Sequence, residues 1–150
     1  MKRSGFLKRK TPMSRGKGFS VKRKALPKQS KVSVAKIQRD LWVECRRIVR
    51  SRYKDCYTCP AKDLVGSNAH TGHGPWAKAA IGAYLKYDLR CLRLQCYACN
   101  VHRSGMSYEF GKNLLKEIGP EAMAQLEADR QVSVKAVDHY ASLLEQYRRL

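Results

Sequence analysis

From Ser33 onward the apolar positions fall into a helical rhythm, Val34, Ile37, Leu41, Cys45 and Ile48, with Trp42 and Val49 broadening the stripe. This spacing predicts an amphipathic helix, and Ser33 is placed to be its N-cap. Cys45 falls on the stripe and reads as a small buried hydrophobe. Beyond the helix the rhythm shortens. The stretch "LVGSNAH" predicts a first strand running to a turn at His70–His73, and "GPWAKAAIGA" reads as a loop. "YLKYDLRCLRLQ" alternates, with Leu85, Tyr87, Leu89, Cys91 and Arg93 on one face and Leu92 and Leu94 on the other. Alternation of this kind predicts a second strand, with Cys91 packed in it. After Cys96 the pattern turns helical, is interrupted near Gly105, and breaks again at Gly119, where Pro120 suits a helix N1 position. A last helix is predicted from Val134, Val137, Tyr140, Ala141, Leu144 and Tyr147, whose face should pack on the core. His139 reads as an ordinary residue of that helix.

The first 32 residues show no such period. Fourteen Lys or Arg and no acid lie between Met1 and Arg39, whereas from Asp40 onward seventeen bases face twelve acids. Most of the net charge of +19 therefore belongs to a tail rich in Ser, Gly and Pro, expected to be disordered alone. The predicted organisation is a basic tail over 1–32 and one folded domain over 33–150, since 150 residues suffice for a single core of ordinary size. A polyanion is the expected partner of the tail. Nucleic acid is favoured over a membrane surface, because the tail lacks an amphipathic apolar face and each neutralised phosphate releases counterions. With no run of eighteen apolar residues and no secretory signal, the expectation is a soluble cytoplasmic protein with reduced cysteines.

Those cysteines are paired in sequence. "CYTC" supplies Cys56 and Cys59, and after 36 intervening residues "CYAC" supplies Cys96 and Cys99. Two such pairs in a reducing compartment can place four thiolates around one Zn²⁺, each pair taking two corners of a tetrahedron. A closed four-thiolate site leaves no open coordination position, so this zinc is expected to be structural. It would clip the segment after Cys59 to the one beginning at Cys96. The predicted fold class is α+β: a small zinc-clipped strand, loop, strand and helix unit, flanked by N- and C-terminal helices.

In combination, C-x2-C, "GH", "LR-x4-QC-x2-CN-x-H-R-S-G" and a helix carrying Ile118, Gly119, Glu121, Ala122, Leu126 and Glu127 resemble the phage NinG/Rap recombination endonucleases. The resemblance covers roughly residues 34–128. It implies a ββα-metal, or HNH, nuclease core and metal-dependent, structure-selective cleavage of branched DNA such as Holliday junctions and D-loops. It also implies a phage-encoded enzyme working in the bacterial host cytoplasm.

Carried onto this chain, the resemblance makes His73 the general base that activates water, a task suited to a group titrating near neutrality. Asn100 becomes a ligand of the catalytic divalent metal, Mg²⁺ or Mn²⁺. His70 stands where the family often has an acidic residue, and as a second ligand it would favour Mn²⁺ somewhat. His102 is placed to contact the phosphate or the metal, and Arg103 to stabilise the pentacovalent phosphate through its planar donors. No asparagine lies between His73 and Cys96, so the central brace of HNH is either dispensed with or replaced by Asp88; the aligned column holds Cys91. A homodimer would suit a substrate with two strands to cut, although the sequence shows no dimer seam.

Two other classes fit part of the pattern. A non-catalytic zinc module binding DNA or RNA, or a ribosome-associated protein, accounts for the tail and the cysteines, but gives His70, His73, Asn100 and His102 no shared purpose. A sequence-specific HNH nuclease of the homing or restriction kind would need a separate recognition domain, and none is visible.

Overall fold

A computed structural model describes residues 33–77 and 80–150. The tail expected over 1–32 lies outside them. Helix α1 spans Val34–Arg52 and starts where the sequence predicts, with the Ser33 hydroxyl accepting the Lys36 amide at 3.3 Å. Its buried side is Ile37, Leu41, Cys45, Ile48 and Val49. Cys45 is a core residue, and burial pushes its thiol up to about 12.

Two short strands follow, β1 over Ala69–His73 and β2 over Leu92–Cys96. They pair antiparallel, with Ala69 opposite Cys96 and His73 opposite Leu92. Both differ from their expected extents. The first starts at Ala69 because Gly66 adopts φ +58° and folds Gly66–Asn68 into a 3-10 turn. The turn expected at His70–His73 is itself strand. The second starts only at Leu92, because α2 occupies Gly82–Leu85 and a 3-10 turn occupies Leu89–Cys91. Cys91 is therefore buried in a turn and not in a strand. The reason is packing: Leu85 and Cys91 join Ile81, Phe110, Leu114 and Leu126 in one apolar cluster, while Tyr87 belongs to another. An extended chain would have put all three on one face.

After Cys96 the chain makes one π-helical turn, Ala98–His102, closed by the Arg103 amide on the Ala98 carbonyl at 3.0 Å. It then reverses through Ser104, Gly105 and Met106, all at positive φ. Helix α3 covers Ser107–Asp129, with the expected break at Gly119 (φ 83°) ahead of Pro120. Helix α4, Ala136–Arg148, packs on α1 through Tyr140, Leu144 and Tyr147. Arg47 of α1 donates to the Tyr147 carbonyl at 2.8 Å, and the Tyr147 hydroxyl donates to the Tyr87 carbonyl at 3.0 Å. Val137 and Ala141, expected on the packed face, are exposed. His139 stacks on Tyr84 at 5.0 Å and ties α4 to α2. No helix among the described residues is long and apolar enough to cross a membrane.

The exit from β1 is tightly constrained. The Gly74 amide donates to the Cys91 carbonyl at 3.1 Å, and a Cβ there would lie 2.0 Å from the ring of fully buried Phe110. Gly74→Ala should therefore cost about 1–3 kcal/mol by overpacking. Chemical denaturation should show a lower midpoint with an unchanged slope.

Candidate functional site

Cys56 and Cys59 stand on the connection between α1 and β1, Cys96 closes β2, and Cys99 lies in the π-helical turn. The β1–β2 pairing brings both pairs to one end of the sheet. All four sulfurs lie within 4.8 Å of one another, and Cys59 Sγ is 3.7 Å from Cys96 Sγ. A tetrahedron with Zn–S bonds of about 2.3 Å has edges of about 3.8 Å. Backbone amides point at the sulfurs: Cys96 N–H reaches Cys56 Sγ at 3.3 Å, and Cys99 N–H reaches Cys96 Sγ at 3.4 Å. Burial opposes ionisation of Cys56, but the amides of Cys96 and Thr58 and the Thr58 hydroxyl outweigh it and bring the thiol down to about 6. Burial pushes Cys59 up to about 12 and also raises Cys99. The Cys56 thiolate is thus favoured by its hydrogen bonds, and a cation would be needed to favour those of Cys59 and Cys99. The four cysteines, as predicted, form a group that can hold a metal such as zinc.

A second group lies on the other side of that turn. His73 ends β1, half-buried, with its imidazole stacked on Trp42 of α1 at 4.8 Å between centroids and 7° between planes. Its Nε2 is 2.9 Å from the Lys86 carbonyl. A carbonyl only accepts, so the neutral ring carries its proton on Nε2 and its lone pair on Nδ1. His73, Trp42, Thr71, Asn100 and Ser107 line an open cleft of about 700 Å³. Arg39 and Lys86 also line it, and among the described residues no Asp or Glu does, a balance that suits an anion.

The remaining candidates are distributed around this cleft. His70 meets Asn100, Nδ1 to the carboxamide nitrogen at 3.2 Å, while its Nε2 lies 2.9 Å from the Ser67 carbonyl. Strand alternation turns His70 to the face opposite Thr71 and His73, so it touches the cleft only through Asn100. Its ring meets Tyr97 edge-on at 5.2 Å, and His102 meets Tyr97 at 5.0 Å. His102 and Arg103 are exposed at the end of the π-helical turn, outside the cleft wall. Asp88 caps the Leu89–Cys91 turn by accepting the Arg90 amide at 2.8 Å and pairs with Arg90 at 2.6 Å. Arg90 also pairs with Asp129 at 2.8 Å, so Asp88 holds the connection between the strands from outside the cleft.

Three contributors were not legible as site residues. Trp42 reads in the sequence only as a broadening of an apolar stripe, yet it forms the stacking partner of His73. The Lys86 carbonyl is a backbone group that no motif signals. Gln95, fully buried on β2, donates to the Thr58 hydroxyl at 2.9 Å and to the Gly105 carbonyl at 2.8 Å. Since that Thr58 hydroxyl lies 3.7 Å from Cys56 Sγ, Gln95 joins the cysteine cluster to the turn that floors the cleft. A glutamine among the apolar positions of a strand was the available signal, because a buried carboxamide must find partners.

Residues 3–150 match the family described as Bacteriophage Lambda NinG protein. The chain is 26% identical over 103 residues to Protein ninG of Escherichia phage 933W, which covers 67% of this chain and 49% of that relative. Identity to Protein ninG of Escherichia phage lambda is 24% over 103 residues, covering 67% and 48%. For Protein ninG of Salmonella phage P22 it is 30% over 83 residues, covering 54% and 39%. The chain thus spans about half the length, or less, of the curated relatives it matches. No solved structure matches it. A match that runs through both cysteine pairs, the His73 strand and the Asn100 turn, nearly end to end, makes this chain a member of the NinG family of bacteriophage proteins.

Proposed function

We propose that the chain is a metal-dependent endonuclease that hydrolyses phosphodiester bonds in branched DNA, such as Holliday junctions and D-loops, in the cytoplasm of a bacterial host. The observation that carries this reading is His73: its Nε2 is fixed by a carbonyl, its ring is held by Trp42, and beside Asn100 it lines an open cleft with no carboxylate among the described residues. In the reaction, a water oxygen forms a bond to phosphorus while Nδ1 of His73 takes its proton. The bond to the 3′ oxygen breaks, and that oxygen takes a proton from solvent, leaving a 5′ phosphate and a 3′ hydroxyl. Arg103, exposed at the end of the π-helical turn, supplies planar donors to the charge that develops on phosphorus, and His102 contacts the flanking phosphate.

Zinc on Cys56, Cys59, Cys96 and Cys99 is structural in this reading. Nδ1 of His70 and the carboxamide of Asn100 would hold the catalytic ion, Mg²⁺ or Mn²⁺. When bound, that ion supplies positive charge at the scissile phosphate. Two neutral donors without a carboxylate fit an ion whose shell is completed by phosphate oxygens and water, and an imidazole among them favours Mn²⁺. Two copies of the chain would serve the two cuts of a symmetric junction.

A non-catalytic zinc-containing nucleic-acid module is the second reading. It is favoured by one observation: among the described residues the only cluster of three or more His, Cys, Asp or Glu is the four-cysteine one. Incubation with a four-way junction and with matched linear duplex, in Mg²⁺, in Mn²⁺ and without an added divalent ion, separates the two. Metal-dependent nicking selective for the junction is the expected result. Tight binding with no cutting in either metal would establish the module instead.

A further inference from the structure

We infer that α1 is a phosphodiester track: Lys36, Arg39, Arg46 and Arg50 receive the backbone of a nucleic-acid strand and lead it along β1 to the His73 cleft. The inference rests on the reading that DNA is the substrate, and it assigns the contact surface to a helix whose sequence announces only an apolar face.

All four side chains are exposed, and none takes part in the ion pairs found among the described residues. The two acids of the helix are matched to other arginines, Glu44 to Arg47 at 2.7 Å and Asp40 to Arg148 at 4.0 Å. At about 100° per residue, Arg39, Arg46 and Arg50 lie within about 40° of one another around the helix, with Lys36 about 40° further on. Asp40 and Glu44 fall beyond them, on the side away from the cleft wall formed by Ala35, Gln38 and Trp42. The helix thus has three zones outside its buried face: a cleft wall, a basic flank beside it with no ion pair among the described residues, and a charge-matched flank. A merely solvated helix surface has no reason to sort its charges in this way.

Two contacts fix the direction of the track. An Arg50 guanidinium nitrogen donates to the Ala69 carbonyl at 2.6 Å, at the start of β1, while Trp42 stacks on His73 at its end. Helix and strand therefore run antiparallel, and Arg50, Arg46 and Arg39 succeed one another from the strand's start towards its end. Arg46 lies 5.8 Å over the Trp42 ring, and Arg39 lines the cleft itself. Arg50 keeps further N–H donors for a phosphate after the carbonyl has taken one. From Lys36 to Arg50 the helix rises about 21 Å, long enough to pass several successive phosphates of one strand. Val43, 60% exposed, lies on the same flank between Arg39 and Arg46 and offers an apolar contact for a sugar.

The test compares two variants of the full chain that lose the same charge. Arg39→Gln/Arg46→Gln removes two positions of the track. Arg148→Gln/Arg149→Gln removes two exposed arginines at the C-terminal end of α4 that pair with Asp40 and Glu145. Binding to a fluorescent linear duplex is measured by anisotropy against salt, without added Mg²⁺ or Mn²⁺ so that no cutting is required. Each phosphate contact contributes about 0.9 to the slope of log K against log salt. The track variant should lower the slope by about 1.8 and the α4 variant should leave it unchanged. Equal losses in both would show diffuse attraction, and an unchanged slope in the track variant would put the strand elsewhere; either outcome overturns the inference. The single variant Arg39→Gln, losing about 0.9, gives the same reading if the double variant folds poorly. Because the readout is binding, a chain that shows the predicted slopes but leaves a four-way junction uncut in both Mg²⁺ and Mn²⁺ sinks only the nuclease reading. A chain that cuts but keeps its slope sinks only the track.

Discussion

Cys56→Ser should lose its metal and most of its cooperative fold, whereas Cys45→Ala should keep the metal and lose only core packing. The physical contrast is large. A structural zinc in a small module contributes about 10–16 kcal/mol, and a whole domain is stable by only about 5–15 kcal/mol. The sheet that carries Cys96 has two strands of five residues each, and a two-stranded sheet is marginal in water without packing or a clip. Cys56 also organises its surroundings: its sulfur accepts the Cys96 amide, and the Thr58 hydroxyl beside it is held by Gln95. Cys45, by contrast, lies on the packed face of α1, where truncation opens a small cavity. Elemental analysis of the purified proteins and far-UV circular dichroism through a denaturant titration make the measurement. A wild-type chain that is folded and contains no metal would refute the expectation.

The α1 helix and the cysteine group were legible because each depends on local spacing. Ser33, Ile37, Leu41, Cys45 and Ile48 specify their roles through a 3.6-residue period, and each Cys-x-x-Cys pair offers two ligands within one turn of chain. The breaks near Gly105 and at Gly119 were legible for the same reason, since glycine tolerates the positive φ found at both. The connection between the strands was not. Leu85, Tyr87, Leu89 and Cys91 alternate as a strand does, but short apolar runs do not by themselves distinguish a strand from helical turns. What decides is that Phe110 and Leu114 of α3 draw Leu85 and Cys91 to one cluster while Tyr140 of α4 meets Tyr87 in another. Both helices lie downstream in the chain, so the information is tertiary. The same holds for the His73 site. Its carbonyl partner and its stacking tryptophan come from separate elements, and only the residue types of His73 and Asn100 were open to a sequence reading.

The stacking also changes what removal of His73 tests. His73 is half-buried against Trp42, so His73→Ala removes a ring contact worth about 0.5–1.5 kcal/mol as well as the proposed base. His73→Asn is the better probe, since it retains polar atoms near the Lys86 carbonyl while it cannot accept a proton at neutral pH. With fold, metal content and junction binding preserved, it should cut at least about a hundredfold more slowly, the usual size of a lost acid-base contribution. Excess Mn²⁺ should not restore the rate, because the missing function is proton transfer. His70→Ala should behave differently: it removes one proposed donor and frees the Asn100 carboxamide, which His70 engages at 3.2 Å. Cutting should then need more metal and recover in part with excess Mn²⁺, the pattern of a weakened ion site. Single-turnover cleavage of a labelled four-way junction across a Mn²⁺ titration separates the two. Wild-type rates for both variants would mean that the histidines of β1 serve packing alone: His73 as the partner of Trp42, and His70 as the edge of a Tyr97 cluster.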